Sequence, residues 1–334
     1  MGRRRLFSTI LYAAIFVLFA WSLLAIVLTG PVMVRKPPKL ELPEIGISAD
    51  RLQSDVERLC GEFSPRHFGR TDNLDRAAEW IADEFRRAGL SVAFQDYELP
   101  EGRFRNVVGF REGLEADSPV RVIGAHYDVY GDSPGANDNA SGVAVMLELV
   151  RTLPGPRPRR SQYFVAFSTE EPPFFATEGM GSYVFARSLK ERGIDVDLMI
   201  AMDLVGYYTD SPRSQRFPAP GLGWLYPREG NFLAVVGDLG SGSWIKRVRR
   251  AMASMTDLPV HSFRAPSAVP GIGWSDHRSF RELGMPGVLL TDTAFLRYPW
   301  YHTEQDTPEK LDYERMAEVV RGLHALVWDR DVAG

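Results

Sequence analysis

The chain has very little cysteine and very little net charge, and each shortage excludes a class of protein. Its 334 residues include one cysteine, Cys60, so neither an intrachain disulfide nor a cysteine-based metal site can form. The formal net charge is -4, and basic residues are interspersed with acidic ones. No global positive field therefore draws the protein to nucleic acid, and we expect no nucleic-acid partner.

Charged residues are also absent from a long stretch near the N-terminus, between Arg5 and Arg35. The run LFSTILYAAIFVLFAWSLLAIVLTG at 6–30 supplies the roughly 20 apolar residues that a membrane-crossing helix needs. A cleaved signal peptide is the alternative, but its apolar region is shorter and ends in a small-residue cleavage site that this run lacks. We therefore expect an uncleaved transmembrane signal anchor at 6–30.

Basic residues on either side of this run predict its orientation. Residues 1–5 form a basic segment before it, whereas Arg35, Lys36 and Lys39 follow it. Because basic residues favour the cytoplasmic side, we predict a single-pass membrane protein with a cytoplasmic N-terminus. The remainder of the chain then lies outside, in the periplasm or the extracellular space.

A Pro-rich tether at 31–47 precedes a long region, residues 48–334, in which strand-like and helix-like segments alternate. Helical spacing of apolar residues extends from Leu74 to Phe85 and recurs at 142–153, 181–192, 242–255, 276–283 and 312–329. The runs typical of strands are SVAFQDY, RNVVGF, RVIGAHYD, QYFVAFST, LMIAMDLVGY, FLAVVGD and GVLLTDT. This alternation predicts a single α/β domain of three layers, with a mostly parallel (mixed) central sheet and helices on both faces.

Acidic and imidazole side chains stand where three of the predicted strands end. RVIGA is followed by His126 and Asp128, QYFVAFST by Glu170 and Glu171, and LMIAM by Asp203. Sites in open α/β sheets form outside the carboxyl ends of the strands. Such side chains are costly to bury unless they are paired or bound to a metal. The sequence therefore predicts a shared polar site at one edge of the sheet.

Two loop residues extend this candidate site: Asp138 in the turn GANDNASG and His302 in WYHTEQDTP. Taken singly, each candidate has an ordinary explanation as a helix cap or a loop residue, and only the combination favours a metal site. Histidines with carboxylates and no cysteine suit zinc or a harder divalent metal. Asp138, on a turn that can reach between strand ends, is a candidate bridge between two ions, and Asp128 a candidate to orient the His126 imidazole.

Six motifs follow one another over most of the region from about 50 to 330. They are GAHYD (124–128), GANDNASG (135–142), STEE (168–171), AMDLVG (201–206), SDHRSF (275–280) and YHTEQDT (301–307). In type and order they resemble the bacterial aminopeptidase, or aminopeptidase Y, family of di-zinc exopeptidases, which includes glutamate carboxypeptidases and has glutaminyl cyclases as relatives. The resemblance implies a zinc exopeptidase fold, two Zn²⁺ per chain and a peptide or aminoacyl substrate.

The resemblance also implies a role for each metal ligand. His126 and Asp203 bind one zinc ion, Glu171 and His302 bind the other, and Asp138 bridges both. A water held between the two ions then attacks the peptide bond.

The implied catalytic residues are fewer. Glu170 is the general base that activates the water and then the general acid that protonates the leaving amine. Tyr301 matches a tyrosine that in some members hydrogen-bonds the developing oxyanion. Asp276 and His277, in SDHRSF, match residues that do not normally bind the metal.

The resulting prediction is a membrane-anchored zinc-dependent exopeptidase, an aminopeptidase in the first instance. A single-zinc cyclotransferase of the glutaminyl cyclase type is the main alternative, but such enzymes often have a tryptophan where Tyr301 stands. A non-catalytic receptor-like relative is a further alternative, although such proteins lose metal ligands and this sequence keeps all five.

Two loops depart from the family pattern. The Glu pair continues into the apolar stretch PPFFATEGM, so loop 172–180 is longer than usual, and Phe174 and Phe175 either line a substrate pocket or pack the loop. Loop 207–230 is rich in proline, glycine and aromatic residues. We expect it to overhang the site, because long loops in compact domains are often functional.

Overall fold

A computed structural model describes residues 12, 37–39, 45–153, 155–218 and 222–328. The predicted basic segment 1–5 and signal anchor 6–30 lie outside these residues except for Tyr12, as does most of the tether 31–47. In the described ranges, no helix is both long enough and apolar enough to cross a membrane. The signal anchor therefore stays a prediction from sequence.

Two helices and three strands open the described domain, and strands and helices then mostly alternate. The strands are β1 (Ser91–Leu99), β2 (Gly102–Arg111), β3 (Val120–His126), β4 (Gln162–Phe167), β5 (Val196–Met202), β6 (Leu233–Gly237), β7 (Val260–Arg264) and β8 (Gly287–Thr291). The α-helices are α1 (Ala49–Gly61), α2 (Thr71–Arg87), α3 (Ser141–Arg151), α4 (Gly181–Glu191), α5 (Gly242–Ala253), α6 (His277–Glu282) and α7 (Tyr313–Val327).

All eight strands form one sheet in the order β1-β2-β4-β3-β5-β8-β6-β7. The centre is parallel, since β4, β3, β5 and β8 run in the same direction. Antiparallel pairs flank it, with β1 and β2 on one side and β6 against β8 on the other. The predicted α/β architecture with a mixed sheet is confirmed.

Hydrophobic cores cover both faces of this sheet. Alternate residues of β3 point to opposite faces, so that Ile123 belongs to one core and Val122 to the other. The larger core packs the sheet against α1, α2, α3, α5 and α7, and the smaller one packs it against α4 and α6. The predicted three-layer arrangement follows from this division.

The predicted segments differ from the observed elements mainly at their ends. Strand β7, the segment VHSFR, is not among the predicted runs. It lies at the edge of the sheet and is only five residues long, with buried and partly exposed positions mixed. A short edge strand of this kind lacks the continuous apolar run that marks the central strands.

A buried histidine outside the site makes the stability of the fold depend on pH. His324 of α7 is fully buried, its Nε2 lies 3.0 Å from the Thr152 hydroxyl, and its Nδ1 has no hydrogen-bond partner within the described part of the chain. Burial, with a smaller contribution from Arg321, lowers the pKa of His324 to about 4. Because the folded pKa lies below the unfolded value of about 6.5, the stabilising effect is complete above pH 6.5 and is lost as the pH falls towards 4.

We therefore expect the variant His324→Gln to lose less stability than the wild type when the pH is lowered from 7 to 4.5. The difference should be about 2 kcal/mol, measured by urea unfolding in the presence of a chelator so that metal binding does not contribute. The variant His67→Gln, in a partly exposed loop, is the control and should follow the wild type. Identical pH dependence of the His324→Gln variant and the wild type would contradict this assignment.

Candidate metal centre

The parallel centre of the sheet determines where the predicted ligands meet. His126 is the last residue of β3, Glu170 and Glu171 follow the end of β4, and Asp203 follows the end of β5 directly. Since these three strands are parallel neighbours, their carboxyl ends lie at the same edge of the sheet. The structure thus brings the strand-end residues together, as the sequence predicts.

The five predicted ligands form two groups that share one carboxylate. One group is His126, Asp138 and Asp203, and the other is Asp138, Glu171 and His302. In each group the nearest donor atoms all lie within 4.8 Å of one another. Each group could hold one metal ion, and the division is the one that the family resemblance implies.

Asp138 directs its two oxygens towards different groups. Its Oδ1 lies 3.4 Å from Nε2 of His126, whereas its Oδ2 lies 3.1 Å from Nε2 of His302. On the outer sides, Asp203 Oδ1 lies 3.4 Å from His126 Nε2, and Glu171 Oε1 lies 3.3 Å from His302 Nε2. A carboxylate in this position has the geometry of a bridge between two cations.

The turn that carries Asp138 is held by hydrogen bonds on both sides of that residue. The Asn137 side-chain amide donates to Asp292 at 2.8 Å, and the Asn139 amide donates to the Met202 carbonyl at 2.8 Å. Gly135 begins the turn with φ of 63°, a conformation that favours glycine. The asparagines and the glycine of the motif GANDNASG thus place Asp138 between the strand ends.

Asp306 is a further buried carboxylate that supports this turn. Its oxygens accept the backbone N–H groups of Asn137 at 2.8 Å and Asp138 at 3.0 Å, and also the Tyr298 hydroxyl at 2.7 Å. Asp306 is not among the site residues predicted from the sequence, although it lies within the motif YHTEQDT. Its position four residues after His302 is the signal that could have identified it.

Asp128 plays a similar part for the glutamate pair. Its Oδ1 and Oδ2 accept the backbone N–H groups of Glu170 and Glu171 at 3.1 and 3.0 Å, and its Oδ1 lies 3.4 Å from His126 Nδ1. The chain therefore bends back after His126, as expected for a carboxylate that orients the imidazole. Carboxylates in this position fix the orientation of a metal-binding histidine.

The electrostatics of the site are those of a cation-binding cavity. Burial, together with neighbouring carboxylates, raises the pKa of Glu171 to about 7, and burial also raises the pKa of Glu170 well above its usual range. Burial opposes the charged form of His302, but the carboxylates of Asp138 and Glu171 outweigh it and raise the pKa of His302 to about 10. Glu171 Oε1 is buried and makes no hydrogen bond with any residue that the structure describes. This donor set, with its surplus of buried carboxylates, fits divalent metal ions.

A cleft of about 70 Å³ opens onto the two groups of ligands. Glu170 and Tyr301, the predicted base and oxyanion donor, both line it. Phe175 also lines the cleft, whereas Phe174 is buried and packs edge-on against Phe68 and Phe104. Of the two alternatives for loop 172–180, lining a pocket applies to Phe175 and packing the loop applies to Phe174.

Asp276 and His277 are buried near the site but belong to neither group of ligands. His277 Nε2 lies 2.7 Å from the carbonyl of Ile272, and burial lowers the pKa of His277 to about 4. Burial raises the pKa of Asp276 to about 7. That neither residue is a metal ligand stays a prediction from the sequence.

A larger cavity, of about 90 Å³, adjoins the cleft, with Asp203, Trp274 and Tyr301 lining both. Its walls are mostly apolar and include Phe217 and Tyr226 from loop 207–230. This loop thus contributes to the surroundings of the site, as expected from its length and composition.

Comparison with known proteins identifies the family. Residues 106–327 match the family model described as Peptidase family M28. The chain therefore belongs to peptidase family M28, which confirms the predicted family and the prediction of a peptidase.

Individual relatives agree with this assignment. The uncharacterized protein YfbL of Escherichia coli (strain K12) is 38% identical over 323 residues, which cover 94% of this chain and 98% of that protein. Aminopeptidase YwaD of Bacillus subtilis (strain 168) is 27% identical over 230 residues, covering 67% of this chain and 44% of that protein. Among solved structures, a zinc aminopeptidase from Bacillus subtilis has a TM-score of 0.68 at 18% identity, covering 87% of this chain and 98% of that one. The structural likeness establishes the shared fold.

Removal of the Asp306 carboxylate charge should weaken metal binding without removing a ligand. We expect the variant Asp306→Asn to bind zinc about 10–100-fold more weakly, because an amide cannot accept both backbone N–H groups that place Asp138. Competition with a chromophoric chelator measures this affinity. The control Asp312→Asn alters another aspartate that accepts a backbone N–H, at the start of α7, and should leave the affinity unchanged. Wild-type affinity in the Asp306→Asn variant would show that Asp306 does not position the bridge.

Proposed function

We propose that the protein is a membrane-anchored, di-zinc aminopeptidase. The observation that carries this proposal is Asp138, whose two oxygens face two separate histidine–carboxylate groups at 3.4 and 3.1 Å. His126 and Asp203 would hold one zinc ion, and Glu171 and His302 the other, with Asp138 bridging. A single-zinc cyclotransferase needs only one such group, so the presence of both favours the peptidase.

Zinc held by these residues would supply Lewis acidity, which would lower the pKa of a bound water molecule and polarise the peptide carbonyl. Glu170 takes the proton of the attacking water and returns it to the leaving amine. It is suited to this role because burial and the adjacent Glu171 carboxylate raise its pKa well above the usual value, and so strengthen it as a base. Asp128 accepts the backbone N–H groups of both glutamates and so fixes their positions. Glu171 can therefore act as a metal ligand while the adjacent Glu170 acts as the base.

Tyr301 is placed to act on the substrate carbonyl. It lines the cleft together with Glu170, and its ring is stacked on His302. Burial raises the pKa of its hydroxyl above the usual value of about 10, so the group remains protonated and able to donate a hydrogen bond. We propose that this hydroxyl donates to the oxyanion that develops during attack.

The adjoining apolar cavity supports an exopeptidase that accepts an apolar terminal side chain. Phe217, Tyr226 and Phe263 contribute to its walls, and it opens next to Asp203 at the metal site. A side chain bound there would lie beside the peptide bond in the cleft. The substrate partner is accordingly a peptide or aminoacyl compound with a bulky apolar end.

The proposed location rests on the apolar run at 6–30 and the basic residues before it. We propose that this segment anchors the chain, with the N-terminus in the cytoplasm and the catalytic domain in the periplasm or extracellular space. Protease added to intact cells or spheroplasts should digest the catalytic domain. Protection of that domain until the membrane is permeabilised would contradict the orientation.

Replacement of the proposed base separates chemistry from metal binding. We expect Glu170→Gln to retain two zinc ions per chain, counted by atomic absorption, and to lose at least 10²-fold in kcat. The neutral amide keeps the shape of the side chain but cannot accept the proton. Hydrolysis at the wild-type rate would rule out Glu170 as the base, and a zinc content of one would rule out the two-ion site.

A substrate panel tests the class of peptidase. We expect leucine and phenylalanine nitroanilides to be hydrolysed, and their N-acetylated counterparts to be resistant, because an aminopeptidase requires a free amine. Preferential cleavage from the carboxyl end of a peptide would instead establish a carboxypeptidase. Cyclisation of an N-terminal glutamine without hydrolysis would establish the cyclotransferase.

A further inference from the structure

The two histidines of the metal centre are held in different ways. His126 is almost fully buried, with 1% of its side chain exposed, and its Nδ1 faces the Asp128 carboxylate at 3.4 Å. His302 is 24% exposed, and its Nδ1 makes no hydrogen bond with the described residues. Metal-binding histidines usually donate this second N–H to a carboxylate or a carbonyl, which fixes the plane of the ring. His302 lacks that restraint.

Two tyrosine rings lie against His302 instead. The Tyr130 ring is parallel to the imidazole, with centroids 4.3 Å apart and an interplanar angle of 2°. The Tyr301 ring is also stacked on it, with centroids 3.8 Å apart and an angle of 20°. These contacts fix the plane of the imidazole, which a single bond from Nε2 to a metal ion would leave free to rotate.

Hydrogen bonds join the loop of Tyr130 to the loop of His302. The Ser133 hydroxyl donates to the Thr303 carbonyl at 2.9 Å, and the Ser133 N–H donates to the Tyr130 carbonyl at 3.1 Å. The Ala136 N–H donates to the Asp306 carbonyl at 3.2 Å. The position of Tyr130 relative to His302 is therefore set by the backbone on both sides.

The backbone of His302 adds a reason for such support. Its φ is 58°, in the left-handed region that residues with a side chain seldom adopt. Residues held in this region persist where the surrounding structure determines their conformation, and they are frequent at ligand sites. The tyrosine rings stacked on the His302 imidazole are among the contacts that hold this residue in its left-handed conformation.

We propose that Tyr130 is a positioning residue for one of the two metal ions, the one bound by Glu171 and His302. The proposal rests on the proposed two-zinc site and adds that the two sites are supported by different chemistry. A carboxylate orients His126, whereas an aromatic face orients His302. Tyr130 itself is 44% exposed and lies outside both groups of ligands.

The decisive experiment is a zinc titration of the metal-free, full-length protein in detergent, in competition with a chromophoric chelator. The wild type should give two dissociation constants. In the variant Tyr130→Ala, one constant should rise about tenfold and the other should stay within twofold of the wild type. The variant Tyr130→Phe, which keeps the ring and loses the hydroxyl, should bind both ions as the wild type does.

Further variants assign the effect to stacking on His302. Tyr130→Leu retains apolar cover without an aromatic face and should behave like Tyr130→Ala. The variant His302→Gln should lose the site that Tyr130→Ala weakens, and combining the two should leave the remaining constant unchanged. Trp224→Ala is the control, because Trp224 is 85% exposed and lines neither the cleft nor the adjoining cavity.

Several outcomes would overturn the inference. Wild-type zinc dissociation constants in Tyr130→Ala would show that the stacked ring does not support the ion. Wild-type constants in Tyr130→Leu would show that apolar cover of His302 is sufficient without an aromatic ring. Equal weakening of both constants would indicate a general disturbance of the loop. A wild type that binds one zinc ion would instead refute the two-ion site, so failure of the proposed function is recognised separately.

Discussion

The burial of several carboxylates at one edge of the sheet is the constraint on which the rest of the site depends. Asp138, Glu170, Glu171 and Asp203 lie within reach of two histidines and are all at most 5% exposed. Such a concentration of acidic groups is unfavourable in a dry cavity unless cations balance it. Metal binding and folding of this region would therefore be coupled, because the ligands assemble only in the folded chain and a bound ion would stabilise them.

Around this core, backbone N–H groups and aromatic rings determine where the charged groups stand. Asp128 and Asp306 each accept two consecutive backbone N–H groups, one pair at the glutamates and the other at the bridging turn. The two carboxylates thus have the same structural role, since each fixes the backbone of a segment that carries predicted site residues. The stacked tyrosines add a third kind of support, on the more exposed side where His302 lies.

Much of this arrangement is predictable from the sequence, and the remainder has a physical reason for escaping prediction. The central strands are recognisable as apolar runs. Polar residues directly after these runs indicate that His126, Glu171 and Asp203 lie together at one edge of the sheet. The family resemblance is what assigns each ligand to one of the two groups and favours His302 over His277 as the last ligand. Strand β7 mixes polar and apolar residues, so no continuous apolar run marks it. Tyr130 gives no signal because its partner His302 is distant in the chain. Contacts between loops depend on the folded backbone, which local patterns do not describe.

The hydrogen bonds between the loop of Ser133 and the loop of Thr303 have a consequence for when the protein becomes active. They join an early segment of the domain to a late one, and Asp306 places Asp138 across the same junction. A nascent or partly unfolded chain thus contains the ligand residues but has not brought them together into the metal centre. Peptidase activity therefore requires that both ends of the domain have folded together, and an incomplete chain would lack it.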